Sequence, residues 1–181
     1  LCFFQDAIDR LVAARKLEPR FHLRSEIGAV PVYEVPLGGT KVLLTHPGVG
    51  APLAAGFLEE MIAFGSRSVI ACGGCGVLDS TLPVGHVLVP NTAVRDEGTS
   101  FHYLPPAREV AASPRAVAAI EAVLRARGVP YDLVKTWTTD AIYRETRARM
   151  ALRRDEGCVT VEMEAAALFA VAQFRSVLLG Q

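Results

Sequence analysis

Short apolar runs and segments of helical period take turns along most of this chain, and few folds accommodate that order. Runs at 68–72, 85–89, 133–137 and 159–161 show no inside-outside alternation, which suits strands covered on both faces. Between them, Leu53, Phe57, Leu58, Met61 and Ile62 recur at the spacing of one helix face over 52–64, with Pro52 in the first turn and Gly65 at the end. Val117, Ile120, Val123 and Leu124 do the same over 114–128, behind Ser113-Pro114, which reads as an N-cap followed by proline at the first helical position. A charged surface helix is expected over 144–154 and an Ala-rich one over 162–174. Upstream, 6–17 has amphipathic spacing, and strands at 30–35 and 41–45 are joined by Leu37-Gly38-Gly39, an antiparallel hairpin signal. Together these predict an α/β domain with a central mixed, mostly parallel sheet flanked by helices, binding ligands beyond the carboxyl ends of its strands.

Size and charge narrow the reading. The 181 residues are expected to form one continuous domain, 1–181, and a chain of this size removes roughly 70% of its unfolded surface from water. With 19 Lys+Arg against 19 Asp+Glu, no excess charge points to nucleic acid or an anionic membrane, so recognition is local. The longest apolar runs, 117–124 and 165–172, fall short of the ~20 residues of a membrane span. Four scattered cysteines, with no leader-like segment at Leu1-Cys2-Phe3-Phe4, suggest free thiols in a cytoplasmic protein. Cys72 and Cys75 flank a glycine pair without the helix start or further ligands that redox or zinc chemistry requires. The end of the chain, 176–181, looks like another strand entering its loop, and the sequence leaves open whether a further strand, loop and helix follow.

The loops at the strand ends carry the chemistry. Gly73-Gly74-Cys75-Gly76 follows an apolar strand with almost no side chains, which admits close approach of a sugar or an anion. Arg95-Asp96-Glu97-Gly98-Thr99-Ser100-Phe101-His102-Tyr103 packs an arginine, two carboxylates, two hydroxyls, a histidine and two aromatics into one segment. Glu162-Met163-Glu164-Ala165-Ala166-Ala167 opens a helix that is otherwise nearly all apolar and so must be buried. Two carboxylates two positions apart point in different directions there: one is free to cap the helix while the other faces a ligand such as a pair of sugar hydroxyls.

These segments, in this order, resemble the nucleoside phosphorylase superfamily, and the likeness is nearest to its uridine-phosphorylase-like members. Val84-Gly85-His86-Val87-Leu88-Val89 and Thr138-Thr139-Asp140-Ala141-Ile142-Tyr143 complete the match, which runs from about Lys41 onward. The resemblance implies a three-layer phosphorylase/hydrolase-like fold. The activity it implies is pentosyl transfer: phosphate attacks the anomeric carbon of a nucleoside, in this likeness a pyrimidine one, releasing free base and ribose 1-phosphate. Glu164 would then hold the ribose hydroxyls and Met163 pack on the sugar, with Glu162 and His102 on the ribose side. Gly73, Gly74, Cys75 and Gly76 would form the phosphate and ribose turn. The base side falls at Asp140, Ile142 and Tyr143, with Ile142 where relatives place an aromatic ring. Inorganic phosphate is the implied co-substrate, with no metal or organic cofactor, and the implied assembly is a homo-oligomer, a dimer or a trimer of dimers.

The family's three phosphate-binding arginines are absent; their positions read Cys2-Phe3-Phe4-Gln5, about Gly28, and Ala71. Phosphate is then either bound weakly, by backbone N–H groups alone, or held by Arg95, Arg24 or Arg144 as a substitute cation, and Arg95 joins Glu164 as a candidate catalytic residue. A hydrolytic nucleosidase, for which water needs no arginine, and a nucleoside-binding module without turnover are the competing readings.

Overall fold

The computed structural model describes residues 1–181. Its strands fall into three hydrogen-bonded groups. The first is antiparallel: β1 (Pro19–Ser25), β2 (Gly28–Leu37) and β3 (Thr40–Leu44). Gly38 and Gly39 close the β2–β3 turn with φ of 55° and 82°, the left-handed pair that a two-residue hairpin needs. The second group pairs β4 (Ser68–Ile70) in parallel with β10 (Leu178–Gly180). The third runs in the order β5 (Gly76–Val77), β9 (Cys158–Glu162), β8 (Tyr131–Thr139), β6 (Val87–Asp96), β7 (Glu109–Ala111). Its centre, β9-β8-β6, is parallel and its edges are antiparallel, so the expected mixed α/β sheet is observed. Residues 1–3 run beside 70–72: the Leu1 amine donates to Ile70 O at 2.8 Å and Cys2 bridges Cys72 in parallel.

Helices cover both faces. On one, α2 (Ala51–Ala63), α3 (Pro114–Ala126) and α5 (Ala165–Phe174) build the main core with Val89, Ala93 and Leu179. Residues 165–172 are all buried, as an all-apolar helix must be. Burying Phe169 and Leu168 alone stabilises the fold by roughly 1.5–3 kcal/mol each. On the other face, Val94, Trp137 and Val161 pack with Met150 of α4 (Arg147–Asp155). The first helix, α1 (Gln5–Arg15), contributes only Ile8 to the buried set, and no helix is long and apolar enough to cross a membrane.

Four local differences from the sequence reading have physical causes. β1 was not expected, because only Leu23 of its seven residues is fully buried and its charged neighbours hide the strand period. β6 continues through Arg95 and Asp96, which stay in register with Thr138 and Thr139 of β8, so the polar loop begins later and folds as a 3₁₀ turn, Thr99–His102. Ser113 precedes α3 as expected but makes no side-chain capping bond. Finally, α5 starts at Ala165: Glu162 is the last residue of β9, and Met163 and Glu164 form the link.

Candidate active site

The link between β9 and α5 borders a cleft of about 400 Å³ at the carboxyl end of the sheet. Residues from three strand-end segments meet there: Gly73, Gly74, Cys75 and Gly76, then Ile142, then Glu162, Met163 and Glu164. Phe3, Val49, Glu145 and Gln181 complete the walls, and the buried side-chain oxygen of Gln181 has no protein partner.

The two glutamates divide the work that the spacing predicted. Glu162 Oε2 accepts the backbone N–H groups of Glu164 at 2.8 Å and Ala165 at 2.6 Å, two of the donors left open at a helix start. Its Oε1 accepts the Thr138 hydroxyl at 2.6 Å, and Thr138 Oγ1 in turn accepts Ala166 N–H at 2.9 Å. Thr138 is the cross-strand partner of Glu162, so the register of β8 on β9 sets this arrangement. Burial, helped by the neighbouring Glu164 charge, pushes the Glu162 carboxyl up to about 7 despite these donors.

Glu164 takes the other direction. Its Oε1 accepts Gly50 N–H at 2.5 Å, which ties it to the turn before α2. Burial raises its pKa against the pull of two backbone donors, Gly50 N–H first and Met163 N–H second. A buried carboxylate anchored to the backbone on the wall of a cleft is suited to accept hydroxyl hydrogen bonds from a ligand there.

Four of the expected site residues lie elsewhere. Arg95 is 3% exposed and spends its donors on the protein: Nε on Ser100 Oγ, and the terminal nitrogens on the carbonyls of Pro105 and Leu104. It lies over the Phe101 ring at 4.1 Å and borders a separate hollow, so it knits its own loop and does not reach the Glu164 cleft. His102 is exposed outside the cleft lining. Asp140 accepts Gly98 N–H at 3.0 Å and joins the two neighbouring strand ends. Tyr143 is 95% exposed, and only its neighbour Ile142 borders the cleft. The placement of Glu162 also differs from a ribose contact, since protein donors occupy both of its oxygens. Arg24 and Arg144 are exposed and do not line the cleft either. Its charged residues are Glu145, Glu162 and Glu164, with no Lys, Arg or His among them.

Sequence reasoning missed Phe3, Gly50, Thr138 and Glu145. The Gly48-Val49-Gly50 pair was a usable signal for the second of these, because a side-chain-free turn before a helix presents its N–H groups to an anion. Nothing local marks Thr138, whose partner is 24 positions away.

Known proteins share this architecture. A family model described as the phosphorylase superfamily matches residues 1–179. A guanosine phosphorylase from Halorubrum lacusprofundi is 31% identical over 144 residues, which cover 78% of this chain and 59% of that protein. The chain thus spans just under three fifths of that relative's length. Among solved structures, a uridine phosphorylase from Vibrio fischeri superposes with a TM-score of 0.83 at 27% identity, covering 99% of this chain and 74% of its own. An AMP nucleosidase from Bacteroides thetaiotaomicron gives a TM-score of 0.83 at 24% identity, with coverage of 99% and 73%, a likeness of fold. With a cleft at the strand ends, a glycine turn on one wall and a glutamate-methionine-glutamate link on the other, the chain belongs to the phosphorylase superfamily.

Proposed function

We propose that this chain acts in cleaving the N-glycosidic bond of a nucleoside, by phosphorolysis to free base and ribose 1-phosphate, with a pyrimidine nucleoside as the first candidate substrate. The observation that carries the reading is Glu164, whose carboxylate lines the cleft and is anchored to Gly50 N–H. In this reading the Glu164 carboxylate accepts the ribose hydroxyls. As the base departs, positive charge develops on the sugar ring, and a fixed carboxylate hydrogen-bonded to the ring's hydroxyls stabilises it more than it stabilises the ground state. Met163, on the same wall, packs against the sugar, and the glycine turn at 73–76 offers backbone N–H groups to phosphate without side chains in the way. The base lies toward Ile142, whose aliphatic side chain gives contact without ring stacking. Phosphate is the co-substrate, no other cofactor is required, and the working unit is a cytoplasmic homo-oligomer.

One observation favours a second reading. The charged residues of the cleft are carboxylates only, and a phosphate dianion beside them would lean on backbone donors alone. Water as the nucleophile avoids that cost, which favours hydrolysis to free ribose. The deciding experiment incubates the protein with uridine, inosine and adenosine, each with and without phosphate, and identifies the sugar product. Ribose 1-phosphate that forms only with phosphate supports the first reading; free ribose in both conditions replaces it with hydrolysis; no cleavage of any substrate rejects both.

A further inference from the structure

We propose that Glu162 and Thr138 are positioning residues: together they cap α5 and thereby fix the direction in which Glu164 faces the cleft, and neither one contacts the sugar.

The hydrogen-bond inventory carries this. An ionised carboxylate offers about four acceptor positions. Glu162 Oε2 is occupied by two backbone N–H groups, and Oε1 by the Thr138 hydroxyl at 2.6 Å with Thr136 Oγ1 at 3.4 Å. No acceptor position is left for a ribose hydroxyl. Thr138 is 0% exposed beneath the helix start and so is out of reach of any ligand.

The helix needs what they supply. The residue at the N-cap position of α5 is Glu164, and its side chain makes no capping bond. Three successive donors, the N–H groups of Glu164, Ala165 and Ala166, are nevertheless satisfied: two by Glu162 and one by Thr138. The cap has been moved from the helix itself to the last residue of β9 and its cross-strand neighbour on β8. Glu164 is thereby released from capping and turned toward Gly50 N–H and the cleft. A helix start in hydrocarbon surroundings, without these acceptors, would fray or rotate to find others, and the Glu164 side chain would lose its aim.

The functional half of this inference rests on the reading of Glu164 as the ribose-binding carboxylate; the structural half does not. Thr138→Val keeps the shape and removes the hydroxyl, leaving Ala166 N–H without an acceptor, and Thr138→Ser restores it. The Gly50 amide reports on Glu164 directly, because Glu164 is its acceptor. Its hydrogen exchange is expected to be roughly tenfold faster in Thr138→Val than in the wild type or Thr138→Ser, with β6 amides unchanged. On uridine or inosine, kcat is expected to fall about tenfold with a smaller change in KM, since the lost aim matters most where charge develops. In a Glu164→Gln background, Thr138→Val is expected to add no further loss of nucleoside affinity by titration calorimetry.

Unchanged Gly50 exchange in Thr138→Val overturns the proposal, and so does an equal further loss of affinity in the Glu164→Gln background. If Thr138→Val does not fold, Glu162→Gln and Glu162→Ala decide. The amide of the first keeps an acceptor for the two backbone N–H groups and is expected to hold Gly50 exchange and kcat near wild type, while the second loses both. A Glu162→Gln protein that folds but is as impaired as Glu162→Ala would make the carboxylate itself a ligand group and sink the proposal. Should the wild type cleave no nucleoside, the proposed function falls, and Gly50 exchange alone still decides the positioning.

Discussion

Gly50 and Glu164 are 114 positions apart in sequence, yet the Gly50 N–H donates to Glu164 Oε1 at 2.5 Å. Gly50 has φ 88° and ψ 147°, a backbone conformation essentially confined to glycine, and this aims its N–H across the cleft. One end of the bond belongs to the turn before α2 and the other to the link before α5, the two helices that pack most closely in the main core. The carboxylate is therefore held by the framework and not by a loop. Glu164→Ala removes the acceptor while leaving the part-buried Gly50 N–H at the cleft edge, where solvent can reach it. Turnover on whichever nucleoside the wild type cleaves is expected to fall by at least about a thousandfold, a loss of the size seen when a fixed transition-state partner is removed. The melting temperature should stay within a few degrees of wild type. A variant with near-native kcat would take Glu164 out of the mechanism.

Glu162 gives the fold an unusual pH dependence. Its carboxyl is pushed from the usual carboxylate range up to about 7, chiefly by burial. The folded state therefore holds this proton more firmly than the unfolded state does. Between about pH 4.5 and 7 the native chain binds more protons at this position, so the stability it contributes is full at the acid end and is lost as pH rises through 7. The difference is on the order of 3 kcal/mol at most. Glu162→Gln, which cannot ionise and keeps an acceptor for the helix N–H groups, should remove that slope. In urea unfolding at pH 5, 6, 7 and 8, the variant is expected to gain on the wild type as pH rises. A gap that stays constant across the series would contradict the shifted carboxyl.

How far the sequence disclosed this site depends on the range of the interactions. The glycine turn and the α2 and α3 boundaries follow from local rules, namely φ preferences and helix starts, and so does a cap supplied by one of the two glutamates, but not that Glu162, read as a ribose contact, is the one that caps. The role of Arg95 did not follow. In sequence it stands among polar residues and reads as a ligand-binding cation, but β6 runs on through it and turns its guanidinium toward the carbonyls of Leu104 and Pro105. Whether a charged side chain is spent on the protein or left for a ligand is settled by tertiary packing, which composition does not encode. β1 was hidden for the opposite reason: with a single fully buried residue, Leu23, it has too little apolar signal to announce itself.

The same limit hid Arg153. The residue reads as part of a charged surface helix, yet its side chain is 5% exposed and lies over the Trp137 ring at 5.3 Å. It donates to Asp96 Oδ2 and Glu156 Oε2, each at 2.8 Å, while Asp96 also accepts the Trp137 indole N–H at 2.9 Å. This network fastens α4 to the ends of β6 and β8. Arg153→Met preserves much of the volume but leaves two half-buried carboxylates without their shared cation. Chemical denaturation should show a loss of about 3 kcal/mol, the lower end for breaking a buried ion pair, because both carboxylates retain some solvent and other donors. A loss under about 0.5 kcal/mol would reduce the pair to an ordinary surface contact.

Gly73 and Gly74 are adjacent in the cleft's glycine turn but differ in the room beside them. A Cβ on Gly73 would lie 2.9 Å from Phe3 Cδ2 and 3.1 Å from Phe3 Cβ, whereas one on Gly74 would meet only Phe4 Cε1 at 3.7 Å. Phe3 cannot retreat easily. Its N–H donates to Cys72 O at 2.8 Å, the preceding Cys2 N–H donates to Thr45 O at 3.0 Å, and its ring stands edge-on to His46 at 5.9 Å. Gly73→Ala must therefore displace the Phe3 ring, a wall of the cleft, or the turn itself. The strain is expected to cost about 1–3 kcal/mol, as overpacking generally does. Because the displaced atoms border the cleft, KM for a nucleoside that binds there should rise severalfold in the same variant. Gly74→Ala puts its methyl group at ordinary contact distance and should leave both stability and KM close to wild type. Measuring melting temperature and KM for the two variants side by side separates a tight approach at one position from a general intolerance of side chains in the turn. If Gly74→Ala is as damaging as Gly73→Ala, the ligand lies closer to the turn than Phe3 does, and the turn's bare backbone serves ligand contact as well as packing.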